Sequence, residues 1–344
     1  MEVLVADTYS PMRELNQLKE FYDTQDDPFA VGFEMPGYGE NCYTDPEPEL
    51  AERLVYFAHA NSSGSLYGIW RKDDRDDLAT LPVVAAGDEG GLHLVARDFL
   101  AFLQLLASLP IDAEPYLGWD FLDVNDGHDP VDNTPYLTWL ARTFDLAPVA
   151  EWEDLVNAAQ EELGREWAAW IHPIVPDAVW SPVHELNQLA TLDDSCAGDL
   201  ATGFCLNRDY GDAGKATNPD LTADLVPFAT NHDTATVFAL WCRDGGAASA
   251  DAPVVALGTE EGAHVIARDL REFLEVIAGL TRTGIRCDHT GVVLCDGEPA
   301  RNHGAFVAWL ERAHGLRPAT DPATVIATAH TELGAPFATG RLRH

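Results

Sequence analysis

One stretch of this chain occurs twice. Leu66–Leu106 returns as Val237–Ile277, 171 residues later, and without a gap 16 of the 41 positions are identical. About half of the others exchange one apolar residue for another, as in Ile69/Leu240 and Leu105/Val276. Self-similarity at a fixed offset constrains the fold more than any composition value, because whatever one copy builds the other must build too. The flanks repeat as well. Ser10-Pro11 followed by Glu14-Leu15-Asn16-Gln17-Leu18 returns as Ser181-Pro182 and Glu185-Leu186-Asn187-Gln188-Leu189. Leu54–Ala58 is answered by Leu225–Ala229, Tyr136, Trp139 and Leu140 by Phe306, Trp309 and Leu310, and Glu162-Leu163-Gly164 by Glu332-Leu333-Gly334. Two similar domains are therefore expected, 1–172 and 173–344, with a Pro-containing linker near 171–182.

The central stretch reads as three strands and a helix. Leu66–Arg71 has the composition and length of a buried strand. After a polar loop, Lys72–Thr80, Pro82–Ala86 forms a second strand. Gly87–Gly91 is a turn whose glycines supply positive φ, and Leu92–Ala96 is a third strand. Asp98 is placed to cap a helix on which Phe99, Phe102, Leu103 and Leu106 form one apolar stripe. The second copy offers Asp269 with Leu270, Phe273, Leu274 and Ile277. The unit is a β-β-β-α arrangement, an antiparallel sheet with a helix on one face.

Around it, Ser10-Pro11 and Ser181-Pro182 read as a cap and a first-turn proline. Pro227 marks its strand as an edge. Residues 110–133 read as an acidic connector, and two helices close each half, the last near Trp152–Trp170 in the first. The fold class is α+β, two similar domains, each a small antiparallel sheet packed by helices.

The pattern resembles the SUKH (SMI1/KNR4) superfamily. The residues that carry the likeness are Trp70, Pro82, Val83, Val84, Gly87, Glu89, Gly91, Ala96, Asp98, Phe102 and Leu103. Their counterparts are Trp241, Pro253, Val254, Val255, Gly258, Glu260, Gly262, Ala267, Asp269, Phe273 and Leu274. It covers about 50 residues of each half, roughly Leu54–Leu106 and Leu225–Ile277. The pattern is mostly hydrophobic, so it specifies a fold more than an activity.

Charge is the loudest global property, with 57 acidic and 21 basic residues and a net charge of −36. Residues 1–172 carry −25 of it and the remainder −11. Such a field steers a basic partner in and repels nucleic acid. A proteome adapted to salt would show the same excess, and only Lys19, Lys72 and Lys215 are lysines. No apolar run has bilayer length, and Met1–Asp7 lacks the basic and hydrophobic regions of a secretory signal, so no membrane partner and a cytoplasmic address are expected. Six scattered cysteines, without Cys-x-x-Cys, argue against a zinc site or a disulfide framework.

Motifs for chemistry are thin. Asp123-x-Asn125-x-Gly127-x-Asp129 begins like a calcium loop, but His128 and Thr134 stand where glycine and glutamate are required. No metal and no cofactor are expected. His93 and His264 occupy equivalent places in the third strand, without a nucleophile, partner acid or ligand spacing common to both halves. A position on the solvent side or rim of the sheet follows. Trp70 and Trp241, with Phe102, Leu103, Phe273 and Leu274, belong to the core rather than to an aromatic recognition surface. No phosphate loop, dinucleotide fingerprint or Gly-x-Ser-x-Gly occurs.

The expected function is non-catalytic protein binding. The resemblance implies a bacterial immunity protein that neutralises a toxin, of basic and nuclease type, and the acidity fits such a target. A second reading, an intracellular scaffold or regulator, is implied by the fungal members of the superfamily. An enzyme with a site between the halves is a third. The loop Asp73, Asp74, Asp76 and Asp77 is the partner-binding candidate, together with His93 and His264, because the second copy keeps only Asp244 there among Gly, Ala and Ser.

Overall fold

A computed structural model of the chain describes residues 8–39, 48–88, 90–117, 122–196, 198–207, 210–211, 223–243, 246–258 and 262–341. Cys42, Glu89, Asp244 and Glu260 lie outside them. The protein is α+β, with small antiparallel sheets packed by helices. It divides into two compact units, Met1–Val179 and Trp180–His344.

In the first unit, α1 (Arg13–Tyr22) and α2 (Pro48–Arg53) precede β1 (Leu54–His59), β2 (Leu66–Trp70), β3 (Val83–Ala86) and β4 (Leu92–Ala96). These four strands form one antiparallel sheet in chain order. Then come α3 (Phe99–Ser108), the hairpin β5 (Ala113–Leu117) and β6 (Leu122–Asp126), α4 (Thr134–Phe144) and α5 (Glu153–Ile171).

The second unit repeats this. It contains α6 (His184–Ser195), β7 (Phe204–Leu206), β8 (Leu225–Asn231), β9 (Thr236–Trp241), β10 (Val254–Leu257) and β11 (Ala263–Ala267). It continues with α7 (Leu270–Gly279), β12 (Thr283–Asp288), β13 (Gly291–Asp296), α8 (His303–His314) and α9 (Pro322–Arg341).

The helix α3 starts where the sequence places it. Asp98 accepts the Ala101 N–H at 2.7 Å, and Asp269 accepts the Glu272 N–H at 2.8 Å at the head of α7. Behind each cap the same aromatic cluster forms. The Phe102 ring meets Phe57 at 5.3 Å and Tyr67 at 4.8 Å; the Phe273 ring meets Phe228 at 5.5 Å and Phe238 at 5.1 Å. Edge-on and tilted geometries of this kind suit the aromatic quadrupole.

The expectation of a helix on one face only is incomplete. Each sheet is a middle layer. In the first unit Phe57, Tyr67 and Val83 pack with α1 and α3, while Leu54, Trp70, Val84 and Leu94 pack on the other face with Trp167 and Ile171 of α5. Trp70 is buried edge-on against Trp167 at 5.0 Å, and Trp241 against Phe337 of α9 at 5.0 Å. Strand alternation explains why both faces demand cover, since β2 and β3 are apolar at every position and buried throughout. Ile174, Val175, Ala178 and Val179 also pack on this second core of the first unit.

Three further expectations are corrected. Residues 110–133 are not a mere connector, because they include the β5–β6 hairpin, matched by β12–β13. Pro227 does not sit on a bare edge. Strand β7 pairs with β8 at Ala229–Asn231, and Pro227 stands at a register shift beside that pairing, where a missing N–H is tolerated. In the first unit the described residues at the same position form the isolated bridge Glu34–His59, with Gly39 donating to the Tyr56 carbonyl at 2.8 Å.

The third concerns Ser10 and Ser181, which are not N-caps. Helices α1 and α6 begin after Met12 and Val183, neither of which caps with its side chain. The Ser10 hydroxyl instead accepts the Met12 N–H, and Asn16 reaches back to accept the Ser10 N–H at 2.7 Å and donate to the Ser10 carbonyl at 2.9 Å. Asn187 and Ser181 repeat this at 2.7 and 2.8 Å. Replacing Asn187 with alanine should remove both bonds from a half-buried corner and cost about 1–2 kcal/mol in urea unfolding, the scale of a lost cap. A change within 0.3 kcal/mol would show the turn to be held by its hydroxyl alone.

Candidate functional site

The β2–β3 loop carries the four aspartates, and they are not equivalent. Asp73 accepts from Arg75 Nε at 2.7 Å, from Arg75 Nη2 at 2.5 Å and from the Arg75 N–H at 3.2 Å. The Arg75 hydrogen bonds pull the exposed Asp73 carboxyl down to about 2. Arg75 also donates to the Thr80 carbonyl at 3.2 Å, so the loop is knitted across its own base. Asp74 lies 3.6 Å from Arg53, and Lys72 pairs with Glu166 of α5. Asp76 and Asp77 are exposed, and their carboxylates make no hydrogen bond among the described residues. The loop presents acid to solvent chiefly through Asp74, Asp76 and Asp77.

His93 is placed elsewhere. The loop leaves the sheet at Trp70 and returns at Val83, whereas His93 pairs with Ala85 on the edge strand β4, toward the other end of β3. With helices on both faces the sheet has no open solvent side, so His93 occupies the rim and is half-buried.

His264 is the matching rim residue on β11, opposite Ala256. Its Nε2 lies 2.9 Å from the Asp288 carbonyl, and its ring lies 5.4 Å from that of His330 on α9. Beside the two rings is an open pocket of about 610 Å³ lined by Ala263, Gly334, Ala335, Phe337 and Ala338. The sequence repeat hides this pair, because at 170 residues' offset the counterpart of His330 is Gln160, whose side chain donates to the Leu94 carbonyl at 2.9 Å.

Two further sets of residues were not visible in the sequence. Arg97 lies 4.0 Å from Glu162, and Arg268 lies 3.9 Å from Glu332, so each copy ties its cap corner to its last helix. These exposed pairs contribute little each. The other set is confined to the first unit. Glu114 is 8% exposed and accepts the Ser62 N–H at 2.9 Å and the Ser62 hydroxyl at 2.7 Å. His128 Nε2 stands 3.5 Å from its other oxygen.

Serine, histidine and carboxylate together invite comparison with a nucleophilic triad. That chemistry needs the imidazole on the serine and the acid behind the imidazole. Here the carboxylate lies between them and takes the serine proton's hydrogen bond itself, an arrangement that pins the β1–β2 turn against β5. Gly32, at φ +69°, passes so close that a Cβ would lie 2.7 Å from the Glu114 carboxylate.

Asp123 and Asn125 lie in strand β6 rather than in a loop, and Gly127 follows at φ +99°. The described residues contain no group of three or more His, Cys, Asp or Glu side chains able to hold a metal, and none of their helices is long and apolar enough to cross a membrane. Cys196, Cys205, Cys242, Cys287 and Cys295 are free thiols.

Comparison with known proteins found no matching family model, no similar curated protein and no similar solved structure.

Proposed function

We propose that the chain is a non-catalytic protein-binding module of the immunity type, which occupies and blocks a basic, nuclease-type toxin domain. The observation that carries this reading is the distribution of acid. The net charge is −36, most of it in residues 1–172, and the β2–β3 loop of the first unit exposes Asp74, Asp76 and Asp77 on a four-stranded core that recurs in the second. A rigid acidic surface raises the encounter rate with a basic partner and suits stoichiometric inhibition, in which speed of capture matters. The resemblance to the SUKH superfamily supports the same reading.

Capture with the purified full chain as bait should return a basic protein in 1:1 ratio, and recovery of only acidic or nucleic-acid-bound proteins would sink the proposal. With that partner in hand, Asp76→Asn with Asp77→Asn should slow association several-fold at low salt and flatten its salt dependence. The melting temperature should stay unchanged, since neither carboxylate makes a hydrogen bond among the described residues. Asp73 is the wrong residue to change, because its loss frees Arg75. An unaltered on-rate would place the binding face off this loop.

A further inference from the structure

We propose that His264 and His330 form a two-imidazole site for a first-row transition metal ion, of which zinc or nickel is the natural occupant. Three features of the second unit lead there. The first is spacing. Metal–nitrogen bonds of about 2.0–2.1 Å at a near-tetrahedral angle bring two imidazole centroids to roughly 5 Å; the rings of His264 and His330 are 5.4 Å apart and inclined at 58°.

The second is the hydrogen bond behind the ring. A backbone carbonyl only accepts, so the 2.9 Å contact from His264 Nε2 to the Asp288 oxygen makes Nε2 the donor. In the neutral ring the lone pair then resides on Nδ1. A ligating histidine that donates its other N–H to a carbonyl is oriented and made more basic by that bond. His330 has no hydrogen-bond partner among the described residues, so its nitrogens are not committed elsewhere.

The third is access. The pocket of about 610 Å³ beside the rings leaves room for the waters that complete four-coordination. Gly334 belongs to the same design, since a Cβ there would lie 3.1–3.2 Å from Cε1 and Nδ1 of the His330 ring and restrict its turning. Soft thiolate ligands are lacking in this pair, and imidazole suits zinc, nickel and copper rather than calcium or magnesium. Bound metal would staple the edge strand β11 to α9 at the rim, beside the core in which Val265 packs with Ala329 and Phe337. The first unit lacks the site, with Gln160 where His330 would stand.

The test is calorimetric titration of the untagged full chain with zinc chloride and with nickel chloride in a non-coordinating buffer, alongside the melting temperature. One saturable equivalent is expected, with a rise in melting temperature. His330→Gln, which copies the first unit at an exposed position, and His264→Asn should each weaken binding roughly tenfold or more, at least the loss seen when a mere supporting residue is removed. His93→Asn should bind as the parent does. The proposal is overturned if the parent shows no saturable equivalent, if either His330→Gln or His264→Asn binds like the parent, or if His93→Asn loses the metal. Circular dichroism of each variant without metal confirms that it is folded; should His264→Asn not fold, the exposed His330→Gln decides alone.

Discussion

Phe273→Ala should cost about 3–5 kcal/mol of unfolding free energy, and Phe102→Ala the same. Both rings are fully buried, and each is the hub of its cluster, with Phe204, Phe228 and Phe238 around Phe273 and Phe57, Tyr67 and Phe99 around Phe102. Truncation forfeits the transfer energy of the ring and leaves a cavity walled by other rings and by sheet backbone, which cannot collapse to fill it. The neighbours on the same helices give the contrast. Leu100 lies one turn from Leu103 but is 38% exposed, so Leu100→Ala should cost well under 1 kcal/mol. Urea denaturation of the three variants measures this. A loss below 1 kcal/mol at Phe273 would mean that the second cluster is not packed as the first is.

The other large effect is expected at glycines chosen for space. Adding a Cβ at Gly258 would put it 2.2 Å from the Cys287 carbonyl oxygen, and at Gly87 2.2 Å from that of Gly90 and 2.6 Å from that of Leu117. These are backbone atoms of the turn and of the crossing hairpin, so no rotamer change relieves the overlap. Gly258→Ala should therefore cost about 3 kcal/mol or more, at the upper end of overpacking. Gly304, at the start of α8, has nothing within 4 Å of the added atom, and Gly304→Ala should be neutral or stabilise by up to about 1 kcal/mol. Equal effects at the two positions would remove close approach as the reason for Gly258.

That pair also shows what the sequence could and could not say about a turn. Gly-x-x-x-Gly after a strand reads as a demand for positive φ, and Gly91 and Gly262 meet it at +81° and +122°. Gly87 and Gly258 do not. The need at Gly258 arises from β12 passing overhead, and at Gly87 from its own turn together with β5, and no local pattern announces a segment that approaches from some thirty residues away. The first hairpin is obscured because Pro115 and a run of acids mask the alternation of residues 113–126.

The sequence by itself determined the repeat, the α+β class, the strand and helix that carry each apolar face, and the Asp98 and Asp269 caps. Those follow from periodicity and from bonds between residues three apart, which are local quantities. Tertiary structure alone decided how the remaining polar residues are used. Distance along the chain says nothing about Glu114 meeting Ser62, or about His264 meeting His330 across a strand and a helix. Contacts between residues far apart in sequence depend on how sheets and helices stack, and a polar side chain's role is set by which group is brought within 3–4 Å of it.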